Sequence, residues 1–249
     1  MRWVPNLPLA LGLLLSTQVD AFTLFGNKAE LKGWDTKELT FHLNPEYCPD
    51  TIDSLLAEAM QVWNEVPTAN LKVVRGEDVD TSVEEALQGQ AGAGTPTIHC
   101  VNNISGLGTN ADVIPGYATA VGVDAQRHIN YGVLVLNVQP GARANIEALD
   151  QGLVIGVIAH EIGHVLGLGH SSDQSALMYY DGTKREQASL AQDDADGFTY
   201  LYPRDELKAD APLGGCGVIP GRGGPGSSWP LYILFALPVL LVRARNWRF

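Results

Sequence analysis

The chain has 249 residues, 45% hydrophobic and 8% aromatic, enough to build a core and to exclude a wholly disordered polymer. Its formal net charge is −12, and residues 22–215 alone hold 11 bases against 27 acids, a balance of −16. A surface of that sign excludes nucleic acid as a partner.

Residues 1–21 read as a secretory signal peptide. Met1-Arg2 precedes an apolar run from Trp3 to Leu15, and Val19-Asp20-Ala21 puts small residues where a signal peptidase cuts. A buried N-terminal helix is the alternative, which Pro5 and Pro8 oppose. Residues 39–43 (LTFHL) alternate as a half-buried strand and stop at Asn44-Pro45. A helix follows, with Asp50 or Thr51 to cap it and Ile52, Leu55, Leu56, Ala59, Val62 and Trp63 recurring at helical spacing down to Val66-Pro67.

Residues 71–74 and 97–101 read as two more strands, joined by an acidic, glycine-rich loop that carries no pattern and reads as solvated chain. Residues 118–123 and 133–138 are a fourth and a fifth, the last so uniformly apolar that it belongs in mid-sheet. From 148 to 168 the period becomes helical, through Leu149, Leu153, Val154, Val157, Ile158 and Val165. A last helix fits 190–201, with Asp193 and Asp194 in its first turn, the end that favours negative charge.

Residues 204–228 turn rich in Gly, Pro and Ser and read as a linker. Residues 229–249 hold fourteen apolar residues followed by Arg243, Arg245 and Arg248. As a helix that run spans about 21 Å against a hydrocarbon core of roughly 30 Å, short for a permanent anchor. Three cysteines in an exported chain suggest one disulfide. Cys48 and Cys100 lie in the folded part and are the pair expected, two buried free thiols being the alternative; Cys216 sits in the glycine-rich tail.

The chemistry concentrates in residues 160–170, HEIGHVLGLGH. His160 and His164 lie one helical turn apart and can face one metal ion, with Glu161 beside it. A straight helix would carry the next turn past that ion. Gly167 accepts positive φ, so the helix can end there and the chain turn back to present His170. Three neutral imidazoles leave the fourth position of a tetrahedral zinc for water, the arrangement of a catalytic rather than a closed structural site. Glu161 is then placed to take the proton of that water. His42, His99 and His128 read as ordinary surface or core residues.

This motif resembles the zinc signature of the metzincin metalloproteases, and most closely that of the matrixins, which place a serine where Ser171 stands. Residues 175–179 (SALMY) resemble the Met-turn of that clan, and 190–202 its closing helix. The resemblance spans 22–203, with its specific part in 148–202. It implies an α+β catalytic domain over 22–203: a mixed five-stranded sheet with an active-site helix and a C-terminal helix, and one catalytic zinc in the cleft held by His160, His164 and His170. It further implies that edge strand 118–123 pairs with an extended substrate and that Met178 floors the histidines.

Three departures accompany it. Only His128 stands in the region where vertebrate matrixins hold a second, structural zinc, so none is expected. No pro-segment cysteine stands between Ala21 and the first strand, so latency by that route is not expected. Tyr180 stands where matrixins usually have proline and where astacins and serralysins have a tyrosine, so its hydroxyl is expected to donate to the tetrahedral intermediate, the alternative being a cleft-wall tyrosine. Asp112, Asp124 and Asp150 are available as calcium ligands.

Gly214-Gly215-Cys216-Gly217, the apolar segment and the terminal arginines resemble the tripartite C-terminal sorting signals of bacteria, which are cut by intramembrane proteases, sometimes with lipid added at cysteine. A plain single-span anchor is the main competitor. The expectation is therefore a monomeric zinc endopeptidase of the cell envelope or surface, tethered or released after C-terminal processing. It would hydrolyse extracytoplasmic proteins or peptides through zinc-bound water activated by Glu161. A catalytically inactive zinc-binding adhesion or scaffold module is the alternative, against which the general base Glu161 argues.

Overall fold

The computed structural model describes residues 22–27, 30–90, 94–181 and 188–207. The expected signal peptide, all but the first residues of the linker, Cys216 and the C-terminal segment lie outside the described residues. Among those described, no helix is long and apolar enough to cross a membrane.

Alternation builds the first strand, β1 (Glu38–Asn44), which buries Leu39, Phe41 and Leu43 on one face. Helix α1 (Ile52–Asn64) carries the chain over that face and returns it to β2 (Lys72–Asp78), which pairs parallel with β1. On its other side β1 pairs parallel with β3 (Thr97–Val101), and β3 with β5 (Ile129–Asn137). The outer strand β4 (Gly116–Val123) runs antiparallel to β5, so the sheet order is β2-β1-β3-β5-β4. The mixed five-stranded sheet expected from the resemblance is present, and β4 is its edge.

The larger part of the core lies under α1 and α3 (Gln151–Val165), where Trp63, Phe41, Ile98, Leu134, Leu136 and Ile158 are nearly inaccessible. The mid-sheet position of β5 explains its apolar run.

Three expectations need correction. Neither Asp50 nor Thr51 caps α1 through its side chain. Thr51 is the N-cap but has helical dihedrals (φ −82°, ψ −3°), and its carbonyl, not its hydroxyl, takes the N–H of Leu55 at 3.2 Å. The loop before β3 is not merely solvated: Ser82 and Glu85 form a capping box that starts helix α2 (Val83–Leu87). α2 lays Ala86 on the far face of the sheet beside Tyr131, Val133 and Val135, where five residues are too few for a period to register. Finally, β5 begins at Ile129 and ends at Asn137, because a tight turn held by the Asp124 carboxylate folds β4 onto residues whose Asn130 and Gly132 hide the strand pattern.

A disulfide joins Cys48, just after β1, to Cys100 in β3, 52 residues apart. Closing a loop of that length restricts the unfolded chain by about 4 kcal/mol. Replacing both cysteines with serine is expected to lower the unfolding free energy measured in urea by an amount of that order, with the slope of the transition steepened or unchanged.

Candidate metal centre

Helix α3 is apolar on nearly every side, and Asp150 starts it by accepting the Gly152 N–H at 2.9 Å. The helix stops at Gly167, whose φ of 105° no side chain tolerates well. The Gly167 N–H reaches His164 O at 3.0 Å and the Leu168 N–H reaches Gly163 O at 2.9 Å, a Schellman closure that turns the chain toward His170. Three aromatic donors hold carbonyls of this helix: Trp63 to Ala159 O and Trp34 to Val165 O, each through the indole N–H at 2.8 Å, and Tyr202 to Leu166 O at 2.6 Å.

The turn brings the three histidines together, with one ring nitrogen from each within 4.8 Å of the others. The His160 Nδ1 donates to Leu177 O at 2.7 Å and the His164 Nδ1 to Leu168 O at 2.9 Å. A carbonyl only accepts, so both rings carry their proton on Nδ1 and leave an Nε2 lone pair facing the common centre. His164 Nε2 and His170 Nε2 are 3.2 Å apart. Two nitrogens each about 2.0–2.1 Å from one tetrahedral zinc stand at about that separation. Burial pushes His164 down to about 4 and lowers His170 as well, so both rings stay neutral and able to ligate at ordinary pH.

Glu161 is buried between this centre and the sheet edge. Its carboxylate accepts the backbone N–H of Ala118 in β4, yet Oε2 has no partner among the described residues. Burial pushes the carboxyl up to about 8, and the Ala118 N–H pulls it the other way. A buried carboxylate oxygen without a partner among the described residues, beside three clustered imidazoles, is unfavourable in a closed protein and suits a site that takes a cation and water. The residues present therefore fit a zinc ion.

Met178 is buried under α3. A Cβ placed on Gly163 would lie 2.3 Å from its sulfur and 2.8 Å from the Trp63 ring, so the glycine between the two helical histidines is what lets the methionine pack there. Asp194 fixes the turn from below. It is 1% exposed, and its oxygens accept the N–H groups of Leu177 at 2.6 Å, Met178 at 2.9 Å and Ala191 at 2.8 Å. One carboxylate thus starts α4 (Gln192–Leu201) and holds the residue that orients His160. Asp193 supplies the second acid of the first turn.

Tyr180 is 68% exposed, with its ring 4.5 Å from that of Tyr179. The three aspartates considered for calcium are not brought together. The Oδ1 of Asp112 accepts the Arg143 N–H, that of Asp124 the N–H groups of Gln126 and His128, and that of Asp150 the Gly152 N–H that starts α3. Among the described residues the three histidines form the metal-competent group of His, Cys, Asp and Glu. His99 is buried against the Thr97 hydroxyl, His42 Nδ1 meets Glu77 O, and His128 lies beside Asp124.

One part of the site carries no local signal in sequence. Residues 22–25 lie along the Gly167–His170 turn: the Phe25 N–H donates to Gly167 O and the Gly169 N–H to Thr23 O, both at 2.8 Å, and the Thr23 hydroxyl donates to His170 O at 2.6 Å. Phe25 sets its ring edge-on to His164 at 5.8 Å.

Residues 120–203 match the Matrixin (Peptidase M10) family model. The chain is 26% identical over 230 residues to human matrix metalloproteinase-27, covering 88% of this chain and 40% of that one. It is 33% identical over 172 residues to metalloendoproteinase 1 of Glycine max, covering 67% and 51%, and 28% identical over 196 residues to human matrilysin, covering 74% and 62%. The chain thus spans less than two thirds of the length of these relatives. The histidine group, the Met-turn and the similarity to the matrixins coincide on one stretch, residues 120–203.

Proposed function

We propose that the chain is an exported zinc-dependent endopeptidase. The observation that carries the reading is the buried Oε2 of Glu161, without a partner among the described residues, beside three clustered imidazoles, two of which spend their Nδ1 protons on carbonyls. His160, His164 and His170 would hold the ion, which when bound supplies Lewis acidity, bringing water toward a pKa of about 7 and polarising a carbonyl. The outer edge of β4, unpaired among the described residues, offers main-chain groups to an extended peptide, which supports binding without a demand for one sequence. Glu161, anchored at one oxygen by the Ala118 N–H of that same strand, uses the other to take a proton from water and return it to the leaving amine. The disulfide and the signal-like N-terminus support an extracytoplasmic setting, with protein or peptide substrates. The C-terminal segment would tether the chain or be removed by a sorting protease, and an intact Phe249 in the mature protein by mass spectrometry excludes removal.

The test is cleavage of casein or a peptide library by the full chain, with and without a chelator. Chelation is expected to abolish cleavage and added zinc to restore it; equal cleavage in both samples sinks the reading.

Tyr180 belongs to the same proposal. Its hydroxyl, delivered from an exposed side chain two residues beyond Met178, would donate to the developing oxyanion. Tyr180→Phe is then expected to lower kcat by about 10- to 100-fold with KM little changed. An unchanged kcat assigns the residue to the cleft wall.

A further inference from the structure

Asn137, the last residue of β5, is 0% exposed, yet its side chain is fully engaged. Nδ2 donates to the carbonyls of Ala111 and Ile114, both at 2.9 Å, and Oδ1 accepts the Gln139 N–H at 2.9 Å. Its own backbone N–H reaches Pro115 O at 2.9 Å. Gln139 extends the attachment, its Oε1 accepting the Ser105 N–H at 3.0 Å. The segment 102–115, between β3 and β4, is therefore tied to Asn137 and Gln139 at the end of β5, with Asp112 taking the Arg143 N–H farther along the chain. Pro115 leads directly into Gly116, which opens β4 opposite Leu136, and two residues later Ala118 gives its N–H to Glu161. Gly116 is tightly held, since a Cβ there would sit 3.0 Å from Val135 O.

We propose that Asn137 is a positioning residue for the edge strand β4, setting where that strand offers its backbone to an extended peptide and where Ala118 meets Glu161. The inference rests on the peptidase reading given above. An amide suits the task because it brings two donors and an acceptor in one neutral plane. Aspartate would face the Ala111 and Ile114 carbonyls with oxygen, and alanine would leave both without a buried donor. Asn44 provides a matched control at the end of β1. It is also buried, donating to Thr81 O at 2.8 Å and accepting the Glu46 N–H at 2.8 Å, but it holds a loop of a different strand.

The experiment compares Asn137→Ala and Asn44→Ala in the full chain. Amide hydrogen exchange is read first, on the zinc-free protein. Residues 116–120 are expected to exchange about tenfold faster or more in Asn137→Ala, and at the wild-type rate in Asn44→Ala. Steady-state hydrolysis is read second: KM is expected to rise about tenfold in Asn137→Ala with kcat changed less than about threefold, while Asn44→Ala keeps the wild-type KM. Gln139→Ala removes only the outer attachment and should shift the same amides by a smaller factor, which keeps the test readable if Asn137→Ala does not fold. Wild-type exchange at 116–120 in the Asn137 and Gln139 variants, or an equal KM shift in Asn44→Ala, overturns the proposal. A wild-type chain that hydrolyses no peptide removes the peptidase reading instead, and the exchange result then decides the positioning role alone.

Discussion

Glu161→Gln is expected to lower kcat for peptide hydrolysis by about 10²- to 10⁴-fold while one zinc per chain is retained. The amide keeps the shape of the side chain and an oxygen for the Ala118 N–H, but it cannot accept a proton from water. Metal content by elemental analysis separates this from loss of the site, because none of the three imidazoles is touched. A second readout has the opposite sign. In the zinc-free protein the Glu161 carboxyl has a folded pKa of about 8 against an ordinary value of 4.5. A raised carboxyl pKa means the folded state holds a proton that the unfolded state has released, so stability is fully present below pH 4.5 and declines as pH rises toward 8. At pH 7 the loss is at most about 3 kcal/mol. Zinc-free Glu161→Gln should therefore melt above zinc-free wild type at pH 7, and the gap should close below about pH 4.5. Bound zinc favours the carboxylate and narrows it. A variant that is both inactive and less stable at pH 7 contradicts the arrangement.

Asp194→Ala carries the second large effect. It strips the partner from the N–H groups of Leu177, Met178 and Ala191 in a place that water hardly reaches. Each buried donor left unmade costs about 1–3 kcal/mol, so a loss of about 3 kcal/mol or more is expected in urea unfolding. Because the turn so released also supplies the carbonyl that orients His160, zinc affinity should fall in parallel, read by competition with a chromogenic chelator. Asp193→Ala removes only a first-turn charge and should change stability by less than about 1 kcal/mol. Equal losses in the two variants would contradict the division of labour between these neighbouring acids.

The parts of this architecture that were legible in sequence are those with local causes. Alternation marked β1, spacing marked α1, and the glycine at 167 marked where α3 would end, because period and backbone freedom are properties of adjacent residues. The histidine cluster was legible for the same reason, its three members lying within eleven positions. The short helix α2 was not, since five residues hold barely more than one turn. The role of Asp194 was only half visible: its place in a helix start could be read, whereas its grip on the Met-turn depends on a chain reversal. Nothing adjacent to Gly163 in sequence announces the Met178 sulfur that packs against it. Asn137 ended an apolar strand and gave no sign of the two carbonyls waiting across the sheet.

The strip formed by residues 22–25 along the His170 turn bears on the order of assembly. Thr23 and His170 are separated by 147 positions, and the pairing of the Trp34 N–H with the Tyr202 hydroxyl, which steadies the end of α3, spans 168. Contacts of such sequence separation form late, after the entropy of closing a long loop has been met. Until then α3 can present two imidazoles one turn apart, but the third swings on an unsecured turn. Completion of the three-imidazole group thus depends on contacts made by both margins of the domain.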